Sequence, residues 1–257
     1  MIKLSDVSKS YARSGVKAID GLSLEARNGE IFGFLGPNGA GKTTTIKIVT
    51  GVLAPDSGRA SLDGIDVVSE PMEAKRRLGY VSDNPEVFSK LRAWEYLNFV
   101  ADVYGVPTAL RQERVARYAG MLEIKDALDA QIGSFSHGMK QKLQVTASLI
   151  HDPSNWILDE PMVGLDPMAA FRLKELMRAR ADEGKTVFFS THVMEVAERV
   201  CDRLAIISKG RIIFQGTLEE LRSTRGSDGT LENLFLQLVD DEGADGAEAV
   251  PNGGGAK

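Results

Sequence analysis

The spacing of apolar and polar positions changes twice along the chain. Near the start it is strand-like. Glu30-Ile-Phe-Gly-Phe-Leu35 is a short unbroken apolar run, which predicts a buried strand entering a glycine-rich turn. Arg59–Leu62, Asp63-Gly64 and Ile65–Val67 predict a hairpin with an Asp-Gly turn. Between them, Ile46, Val49, Thr50 and Leu53 fall on one helical face, and Gly51 and Pro55 mark its weakening end. Strand, glycine loop and helix therefore follow one another directly.

The middle of the chain switches to a helical period. Trp94, Leu97, Ala101 and Tyr104 share one predicted face, and Val115, Tyr118, Ala119 and Leu122 share another. These stripes predict a small helical subdomain with its own core, over about residues 85–150. From Ser154 onward the two periods alternate. Trp156–Leu158 reads as a strand, and Phe171–Glu183 as a helix with Leu173, Leu176 and Met177 inward. Val187–Ser190 is the next strand, and Leu204–Ile207, Lys209-Gly210 and Arg211–Phe214 form a second hairpin. Such alternation predicts βαβ units in an α/β fold with a mostly parallel sheet. No internal repeat of 20–50 residues is present, which excludes solenoid and propeller architectures.

Composition narrows the class. The chain has 257 residues, 43% hydrophobic and 26% charged, enough for one large domain or a domain with a subdomain. Cys201 stands alone, so a disulfide scaffold is excluded. No run reaches 18 apolar residues, and the opening residues lack a basic-then-apolar leader, so a cytosolic chain that does not itself cross a bilayer is expected. The acidic excess is concentrated in residues 240–257, a Gly- and Ala-rich stretch with five acids and one lysine. That stretch predicts a disordered tail, and the nearly neutral body gives no electrostatic case for nucleic-acid binding.

Two motifs bring chemistry. Gly36-Pro37-Asn38-Gly39-Ala40-Gly41-Lys42-Thr43 fits the phosphate-loop pattern between the strand and helix it requires. Glycines let backbone N–H groups close on phosphate oxygens, and the helix N-terminus favours an anion. Lys42 would reach the β and γ phosphates, the Thr43 hydroxyl would ligate Mg²⁺, and Thr44 beside it is a candidate for nucleotide binding. No Asn-Lys-x-Asp segment marks a guanine reader. The second motif is Asp159-Glu160, at the end of an apolar strand. Open α/β sheets bind ligands at that edge, so Asp159 is a candidate for Mg²⁺ and Glu160 for general base.

With these residues and several ordered companions, the chain resembles the ATP-binding cassette (ABC) ATPases, the motor subunits of ABC transporters, from about Ile2 to Leu238. Phe135-Ser136-His137-Gly138-Met139 stands where the family carries Leu-Ser-Gly-Gly-Gln. Gly164-Leu165-Asp166 resembles the loop after the catalytic strand, His192 the switch histidine, and Tyr11 the aromatic that stacks on adenine. The resemblance implies a P-loop core with an antiparallel β subdomain and the inserted helical subdomain, spanning 1–222, followed by a C-terminal helix over 223–239. It also implies that ATP lies between the phosphate loop of one subunit and Ser136 and Gly138 of another, in a homodimer or with a related ATPase. Two departures are His137 and Met139, which leave the phosphate-contacting Ser136 and Gly138 in place. A third is Asp83, where many members carry a glutamine that contacts Mg²⁺. A carboxylate about 4 Å from a phosphate charge costs roughly 4 kcal/mol at an effective dielectric near 20. Asp83 is therefore expected either to ligate Mg²⁺ or to point away.

An acid at that position, and the face formed by Leu231, Leu234, Phe235 and Leu238, resemble exporter-type members. The expectation is an ATPase at the inner face of the cell membrane, powering export through a separate integral membrane permease that docks near Tyr80–Phe88. The alternative is a soluble cassette ATPase with an assembly or regulatory role.

Overall fold

The computed structural model describes residues 1–11, 17–84, 88–225 and 229–245. Its elements run β1 (Ile2–Ser10), β2 (Lys17–Ala26), β3 (Ile31–Leu35), α1 (Lys42–Val49), β4 (Ser57–Leu62), β5 (Ile65–Asp66), α2 (Pro71–Arg76) and β6 (Leu78–Val81). The helical insertion follows as α3 (Ala93–Val103), α4 (Thr108–Met121) and α5 (His137–Leu149). The chain then continues through β7 (Asn155–Asp159), α6 (Pro167–Asp182), β8 (Thr186–Thr191), α7 (Met194–Val200), β9 (Arg203–Ser208) and β10 (Arg211–Gly216). It ends in α8 (Leu218–Arg225) and α9 (Leu231–Asp245).

Six strands form the central sheet in the order β10-β9-β3-β8-β7-β6. All neighbours are parallel except the β9–β10 hairpin at one edge. Strands covered on both faces read as continuous apolar runs, and here successive residues divide between two cores. Ile31, Leu35, Trp156, Leu158, Val187 and Phe189 face one core, which is closed by Leu173, Leu176 and Met177 of α6 and by Leu231 and Leu234 of α9. Phe32, Phe34, Ile157 and Phe188 face the other, against Ile46 and Val49 of α1 and a four-stranded antiparallel sheet, β2-β1-β4-β5. The rings of Phe32 and Phe188 stack across β3 and β8 with centroids 5.8 Å apart. Both predicted hairpins form, and Asp63 and Lys209 take the positive φ (51° and 45°) that their two-residue turns require.

A third core, built on Ala93, Leu97, Ala101, Ala119, Leu143 and Ala147, belongs to the helical insertion. Its buried stripe differs from the predicted one. Trp94 and Tyr104 are exposed, because small Ala93 and Ala101 flank Leu97 and form the narrow seam against which the insertion closes. Helix α6 starts at Pro167 rather than Phe171, with Asp166 as its N-cap. In the C-terminal part, residues 223–225 belong to α8, and α9 continues to Asp245. Residues 240–245 of the expected tail are thus helical. Leu231, Leu234 and Leu238 dock the helix, and each further residue then adds a hydrogen bond without a new nucleation step. Residues 246–257 lie outside the described residues.

His151 links the insertion to the sheet. Its Nε2 donates to the Leu78 carbonyl (2.9 Å), and its ring stacks on Tyr104 at 3.7 Å, while Nδ1 is buried without a partner. Burial pulls the imidazole pKa from 6.5 to about 4; the Leu78 carbonyl and Asp152 oppose that shift, and Arg114 and Arg180 add to it. The unfolded chain therefore takes up this proton first, so His151 contributes stability above pH 6.5 that is lost as pH falls towards 4. The loss is expected to be about 2 kcal/mol after allowance for partial solvent access. His151→Gln keeps a donor and removes the titration, so acid unfolding followed by circular dichroism should become less steep over that window.

Candidate nucleotide site

The site forms where β3, β7 and β8 end together at one edge of the sheet. After β3 the chain must turn tightly against β9. A Cβ at Gly36 would lie 2.5 Å from the Ile207 carbonyl oxygen, so only glycine permits this approach. Gly41 then takes φ 115° at the N-cap of α1, a conformation that a side chain would strain. Lys42 turns its ammonium back into the loop, donating to the carbonyls of Gly36 (2.6 Å) and Pro37 (3.3 Å). The same Nζ lies 3.9 Å from Glu160 Oε1. Burial holds the Lys42 pKa below the usual lysine value, and the charges of Glu160 and Asp159 oppose that shift.

Asp159 ends β7 and is buried. Its Oδ1 accepts from the Ser190 hydroxyl at 2.5 Å, while Oδ2 has no hydrogen-bond partner. Desolvation pushes its carboxyl pKa up, helped by the charges of Asp83 and Glu160 and opposed by Ser190 and Lys42. Glu160 follows with φ 45°, a left-handed backbone that is uncommon for a residue with a side chain. Its Oε1 lies 2.8 Å from His192 Nδ1. A carboxylate can only accept, so Nδ1 carries the proton and Nε2 is left for another partner.

A cavity of about 340 Å³ brings Lys42, Asp159 and Glu160 together, while His192 stands behind Glu160 and does not line it. Its wall includes Tyr11, Pro37, Asn38, Gly39, Gly41, Lys42, Thr43 and Thr44, with Asp83, Asp159 and Glu160 facing them. Ala40 is buried, and Gly36 gives its carbonyl to Lys42 instead of forming cavity wall. Tyr11 Oη sits 3.3 Å from Thr44 Oγ1 at one end. Asp83 lines the same cavity, and its Oδ1 accepts from Ser82 Oγ at 3.3 Å.

Ser136, Gly138 and Asp166 do not line this cavity. Ser136 caps α5, accepting from the Met139 N–H at 3.2 Å. Gly138 backs onto the Gly164 carbonyl, which a Cβ would approach to 2.8 Å, and His137 lies over Gly164 itself. Asp166 spends both carboxylate oxygens within the chain, on the Ala169 N–H (2.8 Å) and on Lys142 (3.2 Å). These interactions, the Ala169 N–H first, hold its carboxyl below the usual range. Among the described residues, no group of three or more His, Cys, Asp or Glu is arranged to hold an ion by itself. Ser190 carries little signal in the sequence, being one of three hydroxyl residues, with Thr186 and Thr191, at the ends of β8.

A phosphate loop and paired carboxylates at the edge of a parallel sheet, carrying an antiparallel sheet and a helical insertion, define a P-loop nucleoside triphosphatase. Comparison with known proteins narrows this class. A family profile described as ABC transporter matches residues 19–163. An uncharacterized ABC transporter ATP-binding protein of Nostoc sp. is 36% identical over 235 residues, 88% of this chain and 69% of that one. The daunorubicin/doxorubicin resistance ATP-binding protein of Streptomyces peucetius is 38% identical over 226 residues, 88% of this chain and 68% of that one. The ABC transporter ATP-binding protein NatA of Bacillus subtilis is 34% identical over 242 residues, 93% of this chain and 98% of that one. A solved structure of an ATP-binding subunit of an ABC transporter superposes with TM-score 0.89 at 30% identity, covering 93% of this chain and 99% of that one. The chain belongs to the ABC transporter family, and it is an ATPase of that family.

Proposed function

We propose that the chain is the ATP-hydrolysing subunit of an exporter, driving transport through a separate membrane subunit as two copies, or one copy and a related ATPase, close head to tail over ATP. The observation that carries the reading is the incomplete site. The cavity holds the phosphate loop and the carboxylates, while Ser136, the N-cap of α5, and Gly138, in its first turn, lie elsewhere on the same chain. A second subunit supplies the missing face. Relatives named for daunorubicin/doxorubicin resistance and Nod factor export support the direction of transport. Among the described residues, no helix is long and apolar enough to cross a membrane, so the reading needs a membrane partner and places the ATPase at the cytoplasmic face.

The residues fit Mg²⁺. Asp159 Oδ2 is a buried carboxylate oxygen without a partner, and Thr43 and Asp83 line the same cavity. One or two carboxylates together with substrate phosphates are the usual protein share of a Mg²⁺ site. The ion, when bound, supplies charge neutralisation at the β and γ phosphates. In this reading Lys42 leaves the Gly36 and Pro37 carbonyls to reach phosphate, and the loop N–H groups take the remaining oxygens. Tyr11 stacks on adenine, a contact of about 1–3 kcal/mol by analogy with base-stacking platforms. Glu160 accepts a proton from water as its oxygen bonds the γ-phosphorus and the bond to ADP breaks. His192 donates Nδ1–H to Glu160, and in the doubly protonated ring Nε2–H is the second donor, offered to the γ-phosphate.

The membrane subunit docks between the core and the helical insertion. There Tyr80, Tyr96, Val100, Tyr104, Gln144 and His151 line a groove of about 210 Å³. Exposed Phe88 and Phe99 meet edge to face at its margin, 6.0 Å apart. Purification from host membranes in mild detergent tests the proposal. A stoichiometric polytopic companion is the expected result. Recovery in the soluble fraction alone, with soluble partners or none, would replace transport with an assembly or regulatory role.

A further inference from the structure

Strands β7 and β8 pair in a register that sets Ser190 opposite Asp159. Ser190 is completely buried, and its hydroxyl serves both acidic residues. It donates to Asp159 Oδ1 at 2.5 Å and accepts from the Glu160 N–H at 3.2 Å. The same N–H also reaches the Ser190 carbonyl at 3.2 Å. A hydroxyl has one proton, and here it is committed to Oδ1, which leaves the partnerless Oδ2 as the free oxygen of that carboxylate. On the other side, the doubly held N–H belongs to the residue with φ 45°, a conformation that persists only where its surroundings enforce it.

We propose that Ser190 is a positioning residue for ATP hydrolysis: its single hydroxyl orients Asp159 so that Oδ2 is free for Mg²⁺, and it pins the turn that carries Glu160 into the cavity. An ordinary packing residue would need neither contact. A group that orients a metal-binding carboxylate is worth 10–100-fold in metal affinity in other proteins, and the effect reaches the metal through the carboxylate. The role rests on the assignment of Asp159 to Mg²⁺.

Ser190→Ala removes one oxygen and adds no volume. Equilibrium binding of a non-hydrolysable ATP analogue to the full chain, measured once with Mg²⁺ and once with EDTA, isolates the metal contribution without relying on turnover. The expected result is unchanged affinity in EDTA, with the tightening caused by Mg²⁺ reduced at least about 10-fold relative to the unsubstituted chain. Full retention of that tightening in Ser190→Ala would overturn the proposal. So would an equal loss of binding in both conditions, which would make Ser190 a buttress of the fold. If the unsubstituted chain shows no tightening by Mg²⁺, the metal assignment of Asp159 fails and the Ser190 role falls with it. Persistence of the effect in Ser190→Ala removes the Ser190 role alone.

Discussion

Glu160→Gln is expected to lower ATP turnover at least about 100-fold while leaving ATP binding intact. The amide preserves the size of the side chain and an oxygen for the His192 contact at 2.8 Å, so the local structure has no reason to change. What it loses is the ability to take a proton from water, and general-base catalysis contributes about 10²–10⁴-fold. With hydrolysis blocked and binding retained, ATP should hold two subunits together. Size-exclusion chromatography with Mg²⁺ and ATP should then show a dimer for Glu160→Gln and monomer or a mixture for the unsubstituted chain during turnover. Normal turnover by the variant would move the base to another residue. A variant that is inactive but never dimerises would leave the base in place and count against the head-to-tail arrangement.

Lys42→Met should have the second-largest effect, and it should appear in binding as well as in rate. Lys42 is buried and donates to two loop carbonyls while lying 3.9 Å from Glu160. Methionine keeps an unbranched apolar stem, one heavy atom shorter, but carries neither charge nor N–H donor. A hydrogen bond to a charged group is worth about 1.5–3 kcal/mol, so the affinity for ATP should fall roughly 10–100-fold. Turnover should fall further, because charge on the transferring phosphoryl group is stabilised by positively charged side chains. Isothermal titration with the non-hydrolysable analogue measures the first effect. Equal affinities for variant and unsubstituted chain would mean that Lys42 keeps its carbonyl contacts when nucleotide binds.

Much of this site is legible in the amino-acid order because its parts are local. Gly36 to Thr43 form one continuous segment running from the loop into α1, and Asp159 and Glu160 are adjacent at the end of one strand. The apolar runs of β3, β7 and β8 also speak for themselves, since a strand covered on both faces has little choice of composition. Strand β1 is less legible. Its buried residues are Ile2, Leu4 and Val7, and the register shift between Leu4 and Val7, with Asp6 at φ 51°, breaks the alternation by which a half-buried strand is recognised. Trp94 shows the converse. Its spacing matches a helical stripe, but spacing reports that residues share a face, not which neighbour covers it.

The sequence by itself determined the α/β class, the phosphate loop, the two strand-end acids and the apolar face of α9, because each depends on residues close in the chain. Tertiary structure decided which of the remaining candidates meet. It brought Asp83 and Tyr11 to the cavity wall and left Ser136 and Gly138 outside it. It made Asp166 a helix cap paired with Lys142 and set the Ser190 hydroxyl against Asp159. Those contacts join residues far apart in the chain: Ser190 and Asp159 are 31 positions apart, and Tyr11 and Thr44 are 33. They follow from the parallel register of β7 with β8 and the packing of the insertion on the core, which no local pattern of apolar and polar residues encodes.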